Sequence, residues 1–387
     1  MKPADRITRL PQQFFAGLVN LAVDLKEQGR LVINLGQGNP DQPTPQNIVE
    51  ALKRAADNPR YQRYIPFAGL PELKQAVARW YQRQHGVTLD WSTEVAILIG
   101  SKIGLQEISL AVLNPGDRAL VPDPGYPDYW SGIRLAGAQM IPWRLSPGTA
   151  LPDVSRLDRT VGLAFLNYPN NPTGRIAPAA FFDAVIAQAL ETGTVLAHDL
   201  AYGDIVYDGM RAVSLLARPG GKTAGIEFTT VSKSYNMAGF RLGFAAGNPE
   251  LIRYLETLQD HLSCSQYGAI QEAAITALDS PAAAVEAVRA LYQKRRDHFL
   301  SALAEEGWSV PAAQGSIFQW IPLPPGAPPS VPFAEELARQ TALIVAPGRG
   351  FGEGGEGFIR ISLTESEETL KRAARLLGQY AHTAARS

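Results

Sequence analysis

The chain of 387 residues is 45% apolar and 19% charged, a composition that belongs to a folded globular protein and excludes a mainly disordered one. Its 36 basic and 37 acidic side chains leave a formal net charge of −1, so no overall field draws in nucleic acid or an anionic membrane; small molecules or another copy of the chain are the expected partners. The length is too great for one ordinary core and favours two domains of unequal size.

The opening MKPADRITRLPQQFF lacks the apolar core of a secretory signal, and no run approaches the roughly 18 apolar residues of a membrane helix. A cytosolic protein is expected. Cys264 is the single cysteine, and five scattered histidines with one thiol make a poor metal cage. Chemistry is therefore expected from a bound organic cofactor, with no metal.

From residue 45 to 278 short aliphatic or β-branched runs alternate with longer amphipathic stretches, which predicts an α/β architecture. The runs at 95–99, 118–122, 161–167, 194–198, 226–232 and 242–247 lack polar alternation, as strands covered on both faces do; a mostly parallel central sheet flanked by helices follows. Helical spacing appears at 104–113, 128–135 and 178–190, and 249–278 reads as one longer, kinked helix. Beyond Pro281 a helix to residue 306 leads into strand candidates at 317–321, 344–346 and 358–363 and helices at 331–340 and 365–380. This predicts a smaller α+β domain. The boundaries are a large domain over 45–285 and a small one over 286–387, with 1–44 contributing to the small domain; the proline-rich 323–332 is a loop within it.

The stretch TTVSKSYNMAGFRLGF, residues 229–244, follows the end of a predicted buried strand. Lysine is unusual there. An amine kept partly neutral by burial and a nearby cation can condense with an aldehyde as a Schiff base, which marks Lys233. Arg241, eight residues on, can serve as that cation and clamp a phosphate bidentately, and Thr230 adds a hydroxyl.

At this point the sequence resembles the class I/II pyridoxal-phosphate aminotransferases of fold type I, whose signature is a hydroxyl residue, Ser-Lys and an arginine eight residues after the lysine. The likeness runs through INLGQGNPDQPTP, YIPFAGLPELKQAV, LIGSKIGL, PDPGYPDY, LNYPNNPTG, HDLAYGDI and GFIRISL in that order, nearly the whole chain. It implies that 45–285 binds pyridoxal 5′-phosphate. Asp199, expected at the carboxyl end of a strand where ligand crevices open, would hold the pyridine nitrogen protonated and make the ring an electron sink. Tyr202 and Asn171 would hydrogen-bond the phenolic oxygen, Tyr126 would stack on the ring, and the backbone amides of Ser101 and Lys102, at a strand-to-helix junction, would receive the phosphate. A lysine in a first helical turn is disfavoured unless an anion is near.

Tyr64 resembles the tyrosine that reaches the phosphate from a neighbouring subunit, which implies a homodimer with shared active sites; by itself it reads as a packed aromatic. Arg360, in a strand pattern, would clamp the substrate α-carboxylate, with Gly38 allowing close backbone approach. Catalysis would rest on Lys233, Asp199 and Tyr202, with Lys233 carrying protons. Two glycine patterns are decoys: GGKT at 220–223 lacks the first P-loop glycine, and Gly350, Gly352 and Gly355 precede a strand and read as a mobile loop. His198 should point away from Asp199 by strand alternation.

Substrate choice stays open. PQQFFAGLV, INLGQGNPD, NMAG and QDH resemble most the branch that aminates 4-methylthio-2-oxobutanoate in methionine salvage, whereas GSK, PDPGYP and SYNMAGFR also fit LL-diaminopimelate and broad aspartate or alanine aminotransferases. Phe15, Gln37 and Trp320 are pocket candidates that suit an unbranched thioether. Thr230 stands where serine is common and Phe240 where tryptophan is. A carbon–sulfur lyase on the same scaffold is the alternative chemistry. A transcription-regulator effector domain would need a DNA-binding region, for which about 30 residues ahead of Leu31 are too few.

Overall fold

A computed structural model of the chain describes residues 1–10 and 14–384, without the side chains of 14–16, 18, 383 and 384. Twelve strands appear among them in chain order: β1 Ile33–Asn34, β2 Val95–Leu98, β3 Arg118–Asp123, β4 Gln139–Arg144, β5 Val161–Asn167, β6 Val195–Asp199, β7 Gly225–Thr230, β8 Gly243–Gly247, β9 Phe318–Pro322, β10 Leu343–Ile344, β11 Ala346–Pro347 and β12 Phe358–Ser362. Seven form the central sheet in the order β2-β8-β7-β6-β5-β3-β4. The strands β7, β6, β5, β3 and β4 are parallel, and β8 runs antiparallel to both its neighbours. Mostly parallel is therefore right, with one reversal.

The apolar runs become strands because helices cover both faces. On one side Leu98, Phe165 and Phe228 pack with Leu105, Ile108 and Leu255; on another Leu166 and Leu196 pack with Phe182 and Val185. Each such fully buried side chain contributes about 1.5–3 kcal/mol relative to exposure. The edge strand β4 escapes the sequence pattern: QMIPWR buries Trp143 but exposes Gln139, Pro142 and Arg144, and a proline in a strand is tolerated mainly at such an edge.

The stretch read as one kinked helix is two, Pro249–Leu262 and Gly268–Leu278. Cys264 takes a left-handed φ of 55° between them, and a Cβ on Gly268 would meet the Tyr61 ring at 2.2 Å. The second helix thus starts where only glycine fits against Tyr61.

The smaller antiparallel sheet has the order β11-β12-β9. Beside it β1 pairs in parallel with β10, Ile33 opposite Leu343, so the N-terminal segment joins elements from the last third of the chain. The Gly350, Gly352 and Gly355 region is not the loop expected. It folds into two 3-10 turns, Gly348–Phe351 and Glu353–Gly355, with Gly350, Phe351 and Gly355 buried. GGKT is likewise structural: Lys222 Nζ pairs with Glu94 at 2.7 Å. Among the described residues no helix is long and apolar enough to cross a membrane.

Candidate active site

The carboxyl ends of β5, β6 and β7 lie side by side, with Asn167 opposite Asp199 and Asp199 opposite Phe228. A cavity of about 420 Å³ opens there, lined among others by Ser101, Lys102, Tyr126, Asn171, Asp199, Tyr202, Thr230, Lys233, Arg241 and Arg360. Residues spread over 260 positions of sequence thus converge because parallel strands end on one edge.

Asp199 is at one wall. Its Oδ2 accepts the Tyr129 hydroxyl at 2.8 Å and its Oδ1 the Ala201 N–H at 3.2 Å, while its main-chain carbonyl accepts from Asn167 Nδ2 at 2.9 Å. Burial raises its pKa; the Tyr129 hydrogen bond and the nearby cations act against that rise. A cation at this carboxylate would restore the charged form. The neighbouring His198 points to the opposite face, where Nδ1 lies 2.8 Å from fully buried Glu227, as alternation requires.

Lys233 follows β7 on the one-turn helix Val231–Ser234. Its Nζ donates to Gly38 O at 3.0 Å. Burial, then the charges of Arg360 and Arg241, lower its pKa to about 8 against the pull of Asp199, so a usable fraction is the neutral amine at neutral pH. Thr230 caps this turn: its hydroxyl donates to Leu242 O at 3.0 Å and accepts the Ser232 N–H at 3.1 Å. The capping contact fixes where Lys233 emerges.

At the other wall the helix Ser101–Val112 begins at Gly100, whose φ is +82°. A Cβ there would lie 2.5 Å from Arg241 Nη2, so the guanidinium reaches the positive end of the helix only because residue 100 is glycine. Arg241 is itself left-handed, φ 54°, and Gln266 Nε2 holds the turn by donating to Phe240 O at 2.7 Å and Arg241 O at 3.0 Å. The helix break at 263–267 therefore has a use. The anion that relieves Lys102 is supplied by Asp128, 2.9 Å from its Nζ.

Arg360, on β12, is 2% exposed. Nη1 donates to Asn171 Oδ1 at 2.9 Å and Nη2 to Gly36 O at 2.7 Å, and its Cζ lies over the Phe318 ring at 3.9 Å and the Phe351 ring at 4.6 Å. Burial pushes its pKa down to about 10, still well above neutrality. Because a guanidinium only donates, Asn171 must turn its oxygen to Arg360, which leaves its amide N–H₂ to donate elsewhere. Gly38 is needed for space: a Cβ would meet the Phe318 ring at 2.3 Å. Tyr202 packs edge-on against the same ring, 5.8 Å between centroids, and Tyr126 packs edge-on against Tyr129 at 5.6 Å. Burial raises the pKa of both Tyr202 and Tyr126, which holds their hydroxyls protonated.

Gln37 lines the cleft at its exposed side. Trp320 does not; it stacks on Phe358 at 5.1 Å and borders a separate cavity of about 210 Å³. Tyr64 is not a packed aromatic: it is 89% exposed and is not among the residues that line this cleft. The side chain of Phe15 lies outside the described residues. Tyr129, Ser232 and Gln266 escape sequence reading, the first two because a tyrosine and a serine beside a motif carry no distinctive signal, the last because its partners are about 25 residues away.

Residues 30–377 match the family described as "Aminotransferase class I and II". The chain belongs to that family. Class I and II aminotransferases are pyridoxal-phosphate enzymes that act on amino acids and 2-oxo acids, and this chain is an enzyme of the transaminase type. It is 47% identical, over 96% of its length and 95% of the relative's, to the L-glutamine--4-(methylsulfanyl)-2-oxobutanoate aminotransferase of Bacillus subtilis (strain 168). It is 42% identical to the LL-diaminopimelate aminotransferase of Moorella thermoacetica over 98% of this chain and 99% of that one. Its fold matches substrate-bound BacF from Bacillus subtilis with a TM-score of 0.94 at 40% identity, covering 98% and 97% of the two chains.

The aminotransferase cleft fits its cofactor. An amine with a lowered pKa, a guanidinium beside a helix N-terminus and a buried carboxylate whose charge needs a cation all line it. These suit an aldehyde, a phosphate and a pyridinium respectively.

Proposed function

We propose that this aminotransferase exchanges an amino group between an L-amino acid and a 2-oxo acid, with 4-methylthio-2-oxobutanoate as a preferred acceptor. The observation that carries the choice is the 47% identity across 96% of the chain to an enzyme named for that acceptor. The cleft supports it. Among its described lining residues the cations are Lys102, Lys233, Arg241 and Arg360, and Lys102 is already paired with Asp128, which favours a neutral substrate side chain over one ending in a second carboxylate.

In this reading Lys233 is the residue that would hold the cofactor's aldehyde, and its amine would take and return the proton at the substrate carbon. When bound, pyridoxal phosphate supplies an electron sink for that carbon. Asp199 would hold the ring nitrogen, and Tyr129 holds Asp199. Asn171 and Tyr202 would donate to the phenolic oxygen, and Tyr126 would flank the ring. The Ser101 and Lys102 amides, Thr230 and Arg241 form the phosphate end. Arg360 orients the α-carboxylate, with Gly38, Gln37 and Phe15 bordering the substrate.

Two chains build each site in this reading. Exposed Tyr64, Phe67, Leu262 and Tyr267 supply apolar surface for a homodimer, and Tyr64 reaches the partner's phosphate. The large domain spans 45–285 and the small one 286–387 with 1–44, a division supported by the pairing of β1 with β10. The protein works in the cytoplasm.

The test is a screen of glutamine and other donors against 4-methylthio-2-oxobutanoate, 2-oxoglutarate and tetrahydrodipicolinate. Highest kcat/KM with the first acceptor supports the proposal; preference for the last reassigns the chain to diaminopimelate chemistry. Pyruvate and ammonia released without any 2-oxo acid would mean a lyase. Borohydride reduction of the holoenzyme followed by peptide mapping should find the pyridoxyl group on Lys233.

A further inference from the structure

The glycine turns at 348–355 lie between two parts of the molecule. On one side is Asp123, the last residue of β3, 4% exposed. Its Oδ1 accepts the Gly354 N–H at 2.7 Å and its Oδ2 is 3.1 Å from Arg144 Nη1 at the end of β4. Close by, the Gly125 N–H donates to Phe351 O at 2.9 Å. The approach is tight enough to demand glycine: a Cβ on Gly352, whose φ is +118°, would stand 2.3 Å from Asp123 Oδ1, and one on Gly354 would stand 2.7 Å from Asp123 O. On the other side is Phe351, fully buried, whose ring faces the Arg360 guanidinium at 4.6 Å and Trp320 at 5.8 Å.

We propose that Asp123 is a positioning residue for the substrate carboxylate site: it holds the 348–355 turns against β3, the turns fix the Phe351 ring, and the ring fixes the plane of the Arg360 guanidinium. The inference rests on the reading of Arg360 as the carboxylate clamp. A guanidinium binds a carboxylate bidentately only when its plane is set, and a face-on aromatic ring restrains that plane. The Gly354 N–H and Arg144 also oppose the rise that burial imposes on the pKa of Asp123, so the same contacts that anchor the turns favour its charge. The glycine spacing that resembles a dinucleotide motif thus serves a different purpose: it lets a carboxylate grip a backbone turn.

The experiment uses holoenzyme with Asp123→Ala, Asp123→Asn, Phe351→Leu and Arg360→Lys. Asp123→Ala should raise KM for both the amino acid and the 2-oxo acid roughly tenfold, the scale of one lost charge-assisted hydrogen bond, with kcat changed less than about threefold. Asp123→Asn, whose Oδ1 still accepts from Gly354, should recover most of this. A primary amine lacking a carboxylate should convert the bound cofactor in a single turnover at the wild-type rate in every Asp123 variant, read by visible absorbance. An unchanged KM in Asp123→Ala, or an equal loss with the carboxylate-free amine, overturns the proposal. If Asp123→Ala does not fold, Phe351→Leu carries the same test, and an unchanged KM there overturns it too. Arg360→Lys separates the two readings: no KM rise in that variant sinks the clamp itself, whereas a rise there without one in Asp123→Ala sinks only the part given to Asp123.

Discussion

The environment of Lys233 changes its chemistry. Burial and two arginines bring its pKa from 10.5 to about 8, and only the neutral amine attacks an aldehyde. Attachment of pyridoxal phosphate to apoenzyme should therefore speed up as pH rises and level off near 8, because above the lowered pKa the amine is already unprotonated. Stopped-flow absorbance from pH 6 to 10 checks the sign and the position; a rate still climbing towards 10 would mean an ordinary surface lysine. The motif around Lys233 was legible because its residue types are contiguous and lysine at a buried strand end is chemically conspicuous. Tyr129 was not, since its value comes from a 2.8 Å contact with Asp199, 70 positions away, and no local pattern encodes that distance.

Among elements, the short segment after β1 depends on a missing side chain. Gly38 presents its carbonyl to Lys233 at 3.0 Å while its α-carbon faces the Phe318 ring, on which Arg360 rests at 3.9 Å. Gly38→Ala should displace that ring and lower kcat/KM by about ten- to a hundredfold, the penalty of an ångström-scale misplacement, and lower the melting temperature by a few degrees, since overpacking a buried ring costs about 1–3 kcal/mol. Steady-state kinetics beside a thermal melt checks both halves. The central strands were readable from their unbroken apolar runs. The edge strand β4 and the break at 263–267 were not: β4 shows solvent half its residues, and the break carries Gln266, which grips the Arg241 turn, a contact that periodicity does not contain.

At the scale of the whole molecule, the exposure of Tyr64, 89%, bears on assembly. If it acts in the partner's site, Tyr64→Ala weakens cofactor binding and Lys233→Ala abolishes turnover, yet a mixture of the two refolded together should regain activity. One site in each hybrid then joins the intact lysine of one chain to the intact tyrosine of the other. Lack of recovery, with hybrids verified by native mass spectrometry, would place Tyr64 outside catalysis. The pairing of Ile33 with Leu343 has a consequence for biogenesis. A ribosome exposes the first of these strands long before it makes the second, and closing so large a loop is slow. Until then the Ile33 and Leu35 side chains lack their eventual cover, so chaperone capture during synthesis should centre on this early segment, while the seven-stranded sheet, complete once Gly247 has emerged, can assemble without waiting for it.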